Sequence, residues 1–192
     1  MVEFKSRRRL AAGDDTQLRF RLRIESALAA LRGEPLFEVY QAWERWPAMA
    51  DGTRLDTLCG DGLAGVPEEA RRFISIVDVS AREPEQFQYL RHRTPADFGN
   101  VEGLHFLAFP SMMMRLASEV DFFDTKTNRY LAIDEVHHWR TGQRDMERHY
   151  IRLTCPLCDP DGAITRILIA SSKLETGNVV PLSNLSTPLL VD

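Results

Sequence analysis

The chain has 192 residues, 44% of them hydrophobic and 27% charged, with a formal net charge of −4 and a pI of about 5.8. This is the composition of one globular domain with extensions, able to bury a core without staples, and it argues against whole-chain attraction to nucleic acid or an anionic membrane. Three cysteines are too few for a disulfide framework, no apolar run reaches a membrane span, and the basic residues 7–9 lack the apolar stretch of a signal peptide. A cytoplasmic, reducing location is the expectation.

Charge is uneven along the chain: residues 1–35 hold eight Lys/Arg against five Asp/Glu. Arg7, Arg8 and Arg9 read as a solvated, flexible start rather than a nucleic-acid arm. Asp14 followed by Gln17 suggests a capping box, and Phe20, Ile24, Leu28 and Leu31 fall on one helical face, predicting an amphipathic helix over about 15–32. Leu18–Ile24 (LRFRLRI) also alternates as a strand would, but the Ala-rich continuation favours the helix. Gly33 and Pro35 close it. Residues 1–35 are therefore expected to be a flexible lead and a helix.

A second helix is predicted through Leu36–Trp46, with Leu36, Tyr40 and Trp43 on one face and Pro47 stopping it. Residues 67–72 suit a short helix. Phe73–Val79 and Phe87–Arg93 read as two strands joined by a hairpin connection at 84–86. A longer helix is expected within Phe109–Phe123, starting at Pro110 or Ser111. Three strands follow at about 130–139, 146–157 and 163–171, then a polar tail, 173–192, loosely attached or lying along a partner. Strands in hairpins with helices between the pairs make the class α+β with an antiparallel sheet.

Several motifs were weighed for chemistry. Gly60–Gly65 (GDGLAG) has the spacing of a dinucleotide loop, but no apolar strand precedes it and the helix after it is too short for a crossover; turn glycines are the better reading. Cys155 and Cys158 (TCPLC) invite a metal or redox reading. Aligning the apolar faces of the paired strands puts Ile133 opposite Ile151, Leu131 opposite Leu153, Glu135 opposite His149 and His137 opposite Glu147. Cys155 then lies about 20 Å along the strand from His149, too far to share a metal. The two cysteines have opposite parity, and Asp159–Gly162 (DPDG) after them is a turn, not the helix that a redox pair opens. No metal site is assigned; Cys155 is expected to face inward and Pro156 to break the ladder. Cys59 is a conceivable further ligand that nothing in the sequence places nearby.

The same register gathers Glu135, His137, Glu147 and His149 on one face, with Trp139 at its end. Either the core face runs out into solvent there, or the group is a polar patch at a pocket mouth where histidines sense ligand or pH. The stripe from Phe106 through Met113 to Phe122 reads as core, part of which could line a pocket. Ser111 and Ser118 lack acid or base partners in sequence, so no catalytic residue is assigned.

An aromatic-bearing helix, two strands, a short helical middle, a longer helix and three strands form a recognisable order. With Leu36–Trp43 (LFEVYQAW), Arg72–Val79 (RFISIVDV), Arg148–Leu157 (RHYIRLTCPL) and Asp159–Leu168 (DPDGAITRIL), the chain resembles a PAS domain over residues 36–172. More specifically, it resembles a bacterial family of small stand-alone PAS-like proteins of largely unassigned function. Two departures stand out: Arg91–Asp97 (RHRTPAD) replaces the family's Gly-Thr pair, and the cysteines stand where apolar or small residues are usual. No family ligand or cofactor therefore transfers to residues here. The resemblance implies a five-stranded antiparallel sheet with helices packed on one face, plus an N-terminal helical extension. It also implies a non-catalytic sensory or protein-interaction role in bacterial signal transduction, with a small ligand or a signalling protein as partner and the N-terminal helix as a homodimer contact. The expected pocket residues are Phe106, Met113, Phe122, His137, Trp139 and His149. The competing readings are an isomerase- or cyclase-like enzyme on an α+β cone, using Glu135/His149 or His137/Glu147, and a module regulated through Cys155 and Cys158.

Overall fold

Two strands near the C-terminus set the architecture. Ile164–Lys173 (β7) contains the unbroken apolar run Ile167–Ala170, and Arg148–Cys158 (β6) is buried at every position from Tyr150 to Leu157. A strand with one wet face alternates; a strand without alternation is covered on both faces. Helices do lie on both faces here. The structure, a computed structural model, describes residues 7–12, 15–49, 63, 65–93, 101–109, 112–140, 148–159 and 161–173, with the backbone alone for 7–12, 15–18, 47–49, 112–114, 117, 138–140, 148 and 173.

The other strands are β1 Arg7–Ala12, β2 Asp15–Arg21, β3 Ile74–Asp78, β4 Gln88–Arg91 and β5 Ala132–Arg140. Together they make one seven-stranded sheet in the order β1-β2-β5-β6-β7-β3-β4, every neighbouring pair antiparallel. The helices are α1 Ile24–Ala30, α2 Pro35–Met49, α3 Glu68–Arg71 and α4 Met112–Asn128, with single 3-10 turns at Pro84–Gln86 and Phe106–Ala108. The class is α+β. Among the described residues no helix is long and apolar enough to cross a membrane.

One face of the sheet carries Ile74, Ile76, Ile133, Ile151, Leu153, Cys155, Leu157, Leu168 and Ala170, and packs on buried residues of α1, α2 and α3, including Ala27, Leu36, Val39, Trp46 and Ala70. Trp43 of α2 fastens this layer by donating its indole N–H to the Pro156 carbonyl at 2.8 Å. The other face carries Val77, Tyr89, Ile167 and Ile169 and is closed by Phe87, Phe106, Phe109 and Phe122. Phe106 is the centre of that cluster, with ring centroids 4.8 Å from Phe109, 5.6 Å from Phe122, 5.7 Å from Tyr89 and 6.0 Å from Phe87.

Several expectations need correction. The sheet has seven strands rather than five, and its helices are not confined to one face, because β6 and β7 present apolar residues both ways. The N-terminal extension is not the expected helix with a flexible lead: residues 7–12 and 15–21 are a β-hairpin added beside β5, and only the seven residues Ile24–Ala30 are helical. Gln17 sits in a strand opposite Leu10, not in a capping box. The stripe Phe20, Ile24, Leu28 and Leu31 is not one helical face: Phe20 is in β2, Leu31 is buried and Leu28 packs on the first core, while Ile24 remains exposed. Pro35 opens α2 at a position where the missing N–H has no intrahelical partner to lose. Pro47 does not stop that helix, which ends two residues later at Met49. Pro156 does not break β6 either; it pairs with Ile167 and the ladder shifts only at Leu157/Cys158. The Asp159–Gly162 turn forms as expected, with Gly162 at φ 81° and the Asp159 side chain accepting from the Ala163 N–H at 2.8 Å. The Gly60–Gly65 loop lies largely outside the described residues, as do Cys59, Glu147 and the 174–192 tail.

Candidate functional site

Strand β5 places three residues of one row, Ile133, Glu135 and His137, toward the α1–α3 side. Their partners on β6 are Leu153, Ile151 and His149. The register is displaced by two residues from the expected one. A two-residue slip keeps every side chain on its face and changes only its opposite number. As a result, His137 stands directly across from His149, and Glu135 lies between Ile151 on β6 and Phe20 on β2.

Glu135 is fully buried. Its Oε1 is 2.7 Å from His149 Nε2 and 3.0 Å from His137 Nε2. The two imidazoles stack at 4.0 Å between centroids with 23° between planes, and the edge of Phe20 meets His137 at 5.8 Å. Both histidine side chains remain about one-fifth exposed, at 20% and 19%, whereas the carboxylate beneath them is at 0%. Burial alone would raise the Glu135 pKa, but the bonds to His137 and His149 outweigh it and hold the carboxyl below its ordinary value. Glu135 Oε2 is buried with no hydrogen-bond partner among the described residues. Among the described residues, these three are the group of His, Cys, Asp and Glu donors close enough to share one metal ion.

A second charged cluster lies on the opposite face, under α4. Asp134 of β5 and Asp121 of α4 meet Arg19 and Arg21 of β2 and Arg152 of β6. Arg21 Nε is 2.5 Å from Asp134 Oδ1, Arg152 Nη2 is 2.7 Å from Asp121 Oδ2 and 3.4 Å from Asp134 Oδ2, and Arg19 bonds Asp121. Burial would raise the Asp134 pKa; Arg19, Arg152 and Arg21 prevail and depress it. Asp121 Oδ1 and Arg152 Nε have no hydrogen-bond partner among the described residues. Sequence reading missed this cluster. Its signal was present in the alternation of Arg19, Arg21, Asp134 and Arg152 with apolar neighbours, which puts four charges on one side of adjacent strands.

The six residues expected to line one pocket do not share a site. Phe106 and Phe122 are buried in the aromatic core on the α4 side, while His137 and His149 belong to the other face. Met113 falls in the first turn of α4, and Trp139 pairs by backbone with Thr16; their side chains are outside the described structure. Cys155 is buried, with burial pushing its thiol well above the ordinary range, whereas Cys158 is exposed with its sulfur 3.7 Å from Arg129 Nη2; both are free. On β3, Ser75 and not a nucleophile–base pair is the buried hydroxyl, tied at 2.7 and 2.8 Å to the Arg93 backbone. Comparison with family profiles, with curated proteins and with solved structures finds no match for the chain.

Proposed function

We propose that the protein is a PAS-like sensory or protein-interaction module acting in signal transduction without catalysis. The chain order supports the reading: the aromatic helix α2, the hairpin β3–β4, a 3-10 middle, the longer α4, then three consecutive antiparallel strands. The observation that carries it is the outer side of α4. Leu116, Val120 and Phe123, spaced as one helical row, are 40%, 38% and 46% exposed. The inner side of the same helix is anchored by Asp121 to Arg19 and Arg152 and by Phe122 to the aromatic core. An apolar row held on a fixed helix is a surface for a protein partner, and a ligand that favours one setting of α4 on the sheet would shift the population of binding-competent molecules.

Photo-crosslinking from position 120, compared with exposed Glu34 on the opposite side, tests the reading. One defined product from position 120 that disappears in Phe123→Arg supports it. Absence of any product specific to position 120, together with no small molecule seen by native mass spectrometry, overturns it. A second reading is favoured by one observation, the 2.7 Å bond between buried Glu135 and half-buried His149. That pair has the form of a general acid–base couple for an isomerase- or cyclase-like reaction. A co-purifying compound chemically altered on incubation with wild type but not with Glu135→Gln would select it.

A further inference from the structure

We propose that Glu135, His137 and His149 bind one divalent transition-metal ion of the zinc class. The proposal stands on the β5–β6 ladder alone and not on the PAS-like reading. The three residues offer two imidazole nitrogens and one carboxylate oxygen, all within 4.8 Å of one another. Two come from adjacent positions of one row on β5 and the third from the directly opposed position on β6, so backbone pairing rather than a loop sets their spacing.

Three details point the same way. First, both Nε2 atoms converge on the same oxygen, Glu135 Oε1, at 2.7 and 3.0 Å, with the rings stacked. Donor atoms around a tetrahedral zinc at about 2.0–2.2 Å lie about 3.3 Å apart, so the two nitrogen–oxygen separations of 2.7 and 3.0 Å need to widen by about 0.6 and 0.3 Å to admit an ion. Second, Glu135 is a completely buried carboxylate whose second oxygen has no hydrogen-bond partner among the described residues. A buried unsatisfied carboxylate oxygen is costly, and a cation on this carboxylate offsets that cost. Third, the carboxylate lies beneath and the partly exposed imidazoles lie above, which gives an ion a route from solvent and leaves a position open to water or a small anion. The donor set selects the metal: imidazole with one carboxylate suits zinc and its first-row neighbours, whereas calcium and magnesium require mostly oxygen ligands.

The test uses the full, tag-free chain, stripped with a chelator and titrated with Zn²⁺ and separately with Co²⁺. We expect one ion per chain by calorimetry and elemental analysis, visible Co²⁺ bands of a low-coordinate site, and a melting temperature raised by Zn²⁺ but not by Mg²⁺. His137→Ala and His149→Ala should each weaken binding at least tenfold. His149→Gln, which keeps a hydrogen-bond donor for Glu135 and removes the imidazole ligand, serves if the alanine variants do not fold. Absence of stoichiometric uptake by folded wild type, or undiminished affinity in folded His149→Gln, overturns the proposal. Neither result touches the α4 surface, which shares no residue with this site.

Discussion

The two faces of the sheet are woven from the same strands yet closed by different forces. The α1–α3 side is an aliphatic core that ends in one polar group, Glu135 with its two histidines. The α4 side combines an aromatic cluster with a buried network of three arginines and two aspartates. Aliphatic packing is indifferent to pH and tolerant of small shifts. A buried ion network is stable only while every member keeps its charge and its partners. The first face therefore acts as the platform, and the second ties the orientation of α4 to electrostatics.

The sharpest way to break the comparison is to remove one charge. Asp134→Ala leaves Arg19, Arg21 and Arg152 facing each other across the lost carboxylate, and a loss of about 3–5 kcal/mol in urea unfolding is expected. Leu153→Ala on the other face is expected to cost about 2–5 kcal/mol through its cavity. What separates the two is acid. The Asp134 pKa is depressed in the folded protein, so its contribution is complete above the ordinary carboxylate value of about 4 and is lost as pH falls through the folded value. The gap between wild type and Asp134→Asn should therefore narrow steadily below that pH, while the Leu153→Ala gap stays level. Parallel acid profiles for the two variants would contradict the division of labour.

Smaller changes sharpen the picture. Trp43→Phe keeps the ring in the first core but removes the N–H that bonds the Pro156 carbonyl; about 1 kcal/mol is expected by thermal unfolding. Val120→Glu, on the outer row of α4, should change stability by no more than about 0.5 kcal/mol while abolishing the cross-link formed from a probe at position 116 or 123. If it unfolds the protein instead, the row is part of the core.

Much of this was legible in the residues, and the failures have physical causes. The apolar rows of β5 and β6 located the faces correctly because side-chain period is a local property, but their register slipped by two because Ile133 fits Leu153 as well as Ile151 and hydrophobic matching alone does not distinguish them. The N-terminal segment carries two signals, an alternating Leu18–Ile24 and an Ala-rich Ala27–Leu31, and the structure uses them in succession, as a strand to Arg21 and a helix from Ile24, not as a single helix over the whole stretch. Arg19 and Arg21 carry no sign in their own stretch of sequence of the carboxylates that receive them, because Asp121 and Asp134 lie a hundred residues or more further along the chain. Gly13 and Asp14, the only residues between the paired Ala12 and Asp15, were the overlooked hairpin signal.

That hairpin has a consequence for how copies of the chain meet. Because β2 pairs with β5, the border strand of the sheet on this side is, among the described residues, β1, and β1 begins with Arg7, Arg8 and Arg9. Two molecules joining border to border along β1 in parallel register would bring their cation runs within a strand spacing of about 4.8 Å, where like charges repel, whereas antiparallel joining would set Arg7–Arg9 against Leu10–Ala12. The run that reads in sequence as a solvated, flexible start is thus part of a strand, and its charge weighs against one of these two ways of joining.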